Sequence, residues 1–151
     1  MKKIRVISII STICIMALIF FFSSQTREES SEVSRGFVET IVSVLFKNSS
    51  EYEKKSIVEM VHSLVRTAAH FTMFGLLGLS AMTMFCLNMH RGKVKISSMA
   101  LLFCFLYACS DEIHQIFVPG RAFQVFDIFI DTLGSATGIG IIALLKKKIV
   151  G

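Results

Sequence analysis

The residues able to do chemistry gather between Ser110 and Asp131: Asp111, Glu112, His114, Gln115, Arg121, Asp127 and Asp131, with Pro119 and Gly120 forming a turn among them. They sit between stretches apolar enough to cross a membrane. An ionised side chain at the centre of a bilayer costs about 2.5–3.5 kcal/mol or more. So many together imply a polar site built at one membrane face. Two further groups belong with them. Arg66 and His70 are four residues apart, on one helix face, and His62 extends that stripe by a turn.

The chemistry on offer is anion binding, acid–base transfer or metal ligation. Arg66 and Arg121 can grip a phosphate or carboxylate. His114 and Asp111 are the expected acid–base pair, with His70 and Glu112 as further candidates. Gln115, Asp127 and Asp131 complete the binding set. Asp111, His114 and His70 offer a possible metal trio, but Asp-x-x-His spacing is common, and the favoured reading has no metal and no cofactor. A structural ion-pair network clamping the helix ends is the plain alternative. Charge arithmetic constrains all of these. Four carboxylates face two guanidinium groups, which leaves −2 if both histidines are neutral. A protonated carboxyl, a charged histidine or a bound cation is therefore expected.

Positioning these groups falls to the apolar elements. With 53% hydrophobic residues and a mean hydropathy of +0.66, the chain reads as an integral membrane protein. Four runs approach the roughly 20 residues needed to cross hydrocarbon. They are about 4–22, 67–87, 96–117 and 125–145. The first ends in Phe20, Phe21 and Phe22 rather than in small residues, which favours a retained span over a signal peptide. The third crosses only if Ser110–Gln115 forms its last, polar turns in a protein-lined place. The expected fold is all-α: a polytopic bundle of four transmembrane helices in one domain.

Charge orients the bundle. Lys2, Lys3, Arg5, Arg91, Lys93, Lys95, Lys146, Lys147 and Lys148 share one side with no acidic residue, while all 11 acidic residues fall on the other. The positive-inside rule then places both termini in the cytoplasm and the polar site outside. The basic residues form no aromatic-interleaved stripe, which argues against nucleic acid. The four cysteines show no metal or redox spacing and read as small buried apolar residues.

The external segment, 23–66, carries a short amphipathic helix. Val33, Phe37, Ile41 and Leu45 recur at helical spacing, with Val38 and Val42 alongside. After a break at Asn48-Ser49, Ser50 and Glu53 form a capping box that opens a second helix (Ile57, Val61, Leu64, Ala68), able to run into the second span. Gly134-x-x-x-Gly138 with Gly140, and Gly75 with Gly78, give the fourth and second spans faces for close helix approach or helix-mediated oligomerisation. Val118–Arg121 has the residues of a type II turn.

Taken together, RTAAHF at 66–71 with Gly75 and Gly78, SDEIHQIFVPGR at 110–121, Asp127, DTLG at 131–134 and FSSQ at 22–25 resemble the VanZ-like family of bacterial membrane proteins. The similarity covers nearly the whole chain. It implies a small polytopic protein of the cell membrane, in a family named for a member associated with resistance to teicoplanin. With the two arginines of the polar site, the expected partner is an envelope molecule, either lipid-linked or related to peptidoglycan. Two departures touch the cluster. Met73-Phe74 stands where members often have Glu-Tyr, and Asp131 where they often have Asn, so one polar partner is removed and one charge added.

Overall fold

The computed structural model describes residues 2–26, 38, 40–46 and 50–150. Four helices dominate: α1 (Lys2–Ser23), α2 (Glu51–Asn88), α3 (Lys93–Gln115) and α4 (Val125–Val150). No strand occurs among the described residues. Each helix contains a stretch long and apolar enough to cross a membrane, so the chain is a four-helix membrane protein. Large apolar side chains such as Ile7, Ile13, Leu106 and Phe129 are exposed around the bundle, as lipid-facing residues would be.

The capping box at Ser50 explains where α2 begins. Ser50 Oγ accepts from the Glu53 backbone N–H at 3.3 Å, and the Glu53 carboxylate accepts from Ser50 N at 2.8 Å. The 38-residue helix that follows is about 57 Å long at 1.5 Å per residue. That is nearly twice the hydrocarbon thickness, so one end of it extends beyond the hydrocarbon on whichever side it lies, and the expected span occupies its second half. Val38 and Val42 pack against Val58 in the first turns of this helix. Ile41 and Leu45 are exposed instead, so the packed stripe is offset from the one expected. Val33, Phe37 and the Asn48-Ser49 break lie outside the described residues.

In α3 the buried positions are Ile96, Ala100, Cys104, Ala108, Asp111, Glu112 and Gln115. One face thus changes from small and apolar to polar along its length. The polar turns expected to finish this span are present, and Asp111, Glu112 and Gln115 within them are buried in protein, while Ser110 is exposed. The helix ends at Gln115; beyond it, Arg121 N donates to Val118 O at 3.1 Å and Gly120 has φ 75°. Those are the marks of a type II turn, whose third position needs glycine. Cys104 is buried, but Cys14 is exposed to the lipid-facing surface, so the cysteines are not uniformly interior.

The tightest packing joins α2 and α4. A Cβ on Gly138 would stand 2.1 Å from Gly75 O, and one on Gly78 would stand 2.2 Å from Ser135 O. The backbones touch, as small-residue faces permit where lipid supplies no hydrophobic drive. Gly140 meets nothing within 4 Å and takes no part. Ser135 Oγ donates across the seam to Phe74 O at 3.2 Å. These faces are thus spent on each other within one chain. On the other side, α1 is tied in by Thr12 and Ser80 at 2.9 Å and by Tyr107 OH donating to Met16 O at 2.6 Å.

Candidate anion-binding site at the turn end of the bundle

The C-terminal ends of α1 and α3, the middle of α2 and the start of α4 meet beside the Pro119 turn. Gln115, with no exposed surface, is the hub. Its Oε1 accepts from Arg66 Nη2 and from Arg121 Nη1, both at 3.3 Å, while its Nε2 donates to Asp111 Oδ2 at 3.0 Å. The two ends of the amide match partners of opposite kind. Ser23 Oγ, from the last turn of α1, also donates to Asp111 Oδ2, at 2.9 Å.

The arginines differ in how they are held. Arg66 Nη2 lies 2.7 Å from Asp127 Oδ2, a charge-assisted contact between α2 and α4. Arg121 reaches back to α1, donating from Nε to Gln25 O at 3.0 Å and from Nη2 to Phe22 O at 3.4 Å. The carbonyl end of a helix carries partial negative charge, so a guanidinium is favoured there. Among the described residues, Arg121 faces no carboxylate at ion-pair distance. Burial, then the Arg66 charge, pushes its pKa below the ordinary value.

The remaining expected site residues fall into two groups. His70 Nδ1 lies 3.4 Å from Asp131 Oδ1. Glu112 Oε1 accepts from Gln124 N at 2.6 Å, tying α3 to the entry of α4. His114 turns toward α1, with Nε2 3.1 Å from Ser24 Oγ and its ring 4.4 Å from that of Phe20. The sequence pairs His114 with Asp111, whereas the structure sets His70 against Asp131 and gives Asp111 to Ser23 and Gln115. Helical spacing places residues on a face but does not say which neighbour opposes them. Only the resemblance of FSSQ marks Ser23, Ser24 and Gln25 in the sequence, yet all three contact the cluster.

A cavity of about 500 Å³ opens beside this network between α1 and α2. Its walls are apolar (Ile19, Phe22, Met73, Phe74), and Arg66, Arg121 and His70 also line it. An apolar slot with cationic groups at one end suits an amphiphile with an anionic head.

A family model described as VanZ/LLP1 matches residues 8–146, and the chain belongs to that family. No curated protein and no solved structure matches the chain.

Proposed function

From that membership and the shape of the site, we propose that the chain works at the outer face of the bacterial cell membrane. There it binds an anionic, lipid-linked envelope molecule and so affects susceptibility to teicoplanin-type glycopeptides. The carrying observation is the meeting of Arg66 and Arg121 on Gln115 beside an apolar cavity. Arg121 is the better anion ligand, because its described partners are neutral oxygens that a phosphate can outcompete. The outward orientation is supported by the nine basic and no acidic residues of the opposite side.

Photo-crosslinking in living cells from position 73, on the cavity wall and with Arg121 intact, with mass spectrometry of the captured species, tests this reading. An anionic polyprenyl or glycerophospholipid is the expected capture. With the purified chain, Arg121→Ala should weaken binding of a polyprenyl phosphate about tenfold or more, the size of one charge-assisted contact. Capture of neutral lipid alone would contradict it.

A second reading has its own support. The Arg66–Asp127 contact and the Glu112–Gln124 tie are what a non-enzymatic scaffold clamped by its ion pairs would use. In that case Arg121→Ala lowers protein abundance without changing lipid capture per folded molecule.

A further inference from the structure

We infer that His70, Asp111 and Asp131 form a site for one divalent cation of the zinc or manganese type. Each contributes one ligand atom, and the three atoms lie within 4.8 Å of one another. They come from α2, α3 and α4 respectively. The separation of His70 Nδ1 from Asp131 Oδ1 is 3.4 Å. Two donors on a tetrahedral ion with bonds of 2.0–2.2 Å stand about 3.4 Å apart.

A second observation concerns the atoms themselves. Asp111 Oδ1 is buried and makes no hydrogen bond, and the buried His70 Nδ1 and Asp131 Oδ1 have only their 3.4 Å contact with each other, which lacks hydrogen-bond geometry. Asp111 is 3% exposed and Asp131 1%. Buried polar atoms are nearly always satisfied, and an orphaned carboxylate oxygen in an apolar setting is costly. One dication satisfies all three atoms and cancels both carboxylate charges.

The surroundings fit as well. Ser23 and Gln115 hold the other oxygen of Asp111, which fixes the carboxylate and leaves Oδ1 for the ion. Metal-binding carboxylates are usually braced in this way. One imidazole nitrogen with two carboxylate oxygens suits zinc or manganese better than copper(I), which prefers thiolates. His70 lines the cavity, which supplies an entry path and room for a fourth, non-protein ligand.

The test uses the full chain without a histidine tag, purified in detergent, stripped with chelator and titrated with Zn²⁺ and Mn²⁺ by calorimetry. One ion per chain is expected. X-ray absorption of the zinc-loaded chain should show only nitrogen and oxygen neighbours, at about 2.0–2.2 Å. Asp131→Asn and His70→Gln should each weaken binding about a hundredfold, and Ser23→Ala about tenfold through Asp111. The absorption spectrum needs no variant, so it decides even if Asp131→Asn folds poorly. Fewer than about one ion bound per ten chains at saturation, sulfur among the neighbours, or wild-type affinity in both ligand variants would overturn the site.

Discussion

The contact between α2 and α4 changes character along its length. Around Gly75, Gly78, Gly134 and Gly138 the backbones are close enough that most added methyl groups would collide with main-chain atoms. One to three turns nearer Pro119, the same helices carry His70, Arg66, Asp127 and Asp131. The dry half sets the geometry of the charged half. A Cβ on Gly134 would lie 2.3 Å from the carbonyl oxygen of Phe71, the neighbour of His70, and Asp131 precedes Gly134 by three residues. The helices therefore cannot separate at the glycines without pulling His70 from Asp131. Small residues here act as the ruler for the polar ones.

The largest expected effect follows from breaking that ruler. Gly138→Val would drive side-chain carbon into Gly75 O and Leu79 N, backbone atoms that cannot move aside. Overpacking typically costs about 1–3 kcal/mol, and a backbone clash belongs at or above the upper end. Loss of monodisperse protein in size-exclusion chromatography checks this.

Next comes the charged half alone. Arg66→Ala removes the partner of Asp127 and one donor to Gln115. Breaking a fully buried pair costs about 3–5 kcal/mol. Arg66 and Asp127 keep 25% and 13% of their side-chain surface, so about 1–3 kcal/mol is the fitting range after solvent screening. Thermal unfolding in detergent measures it, and Arg66→Lys should recover only part, because the ammonium is more strongly hydrated than a guanidinium and costs more to hold in this half-buried place.

Smaller effects sharpen the contrast. Ser135→Ala deletes a single hydrogen bond across the seam, worth about 0.6 kcal/mol between membrane helices. Gly140→Ala, with open space around the new methyl, should be neutral or stabilising by about 0.4–1 kcal/mol. Unfolding temperatures measured under one set of conditions should fall for Ser135→Ala and hold or rise for Gly140→Ala.

Much of this was legible in the residues. Apolar runs located the four helices, Ser50 and Glu53 marked the start of α2, and Pro119-Gly120 specified the turn, because each rests on local physics. The glycine faces were visible as periodic small residues. The pairings inside the cluster were not. His114 and Asp111 share a helical face by spacing, but the arrival of α1 draws His114 to Ser24 and Phe20 while Ser23 engages Asp111. Val38 and Val42, rather than Ile41 and Leu45, meet Val58 for the same kind of reason. Which side of a stripe is covered depends on the register of a distant helix.

Everything functional depends first on which side of the membrane the cavity opens. In a chain with its native cysteines replaced, Ala122→Cys beside the turn and Gly92→Cys at the opposite end are both exposed positions. Labelling intact cells with a membrane-impermeant thiol reagent should modify position 122 and spare 92 until the cells are lysed. Modification of 92 with protection of 122 would put Arg121 and its cavity in the cytosol and contradict an outer-leaflet role.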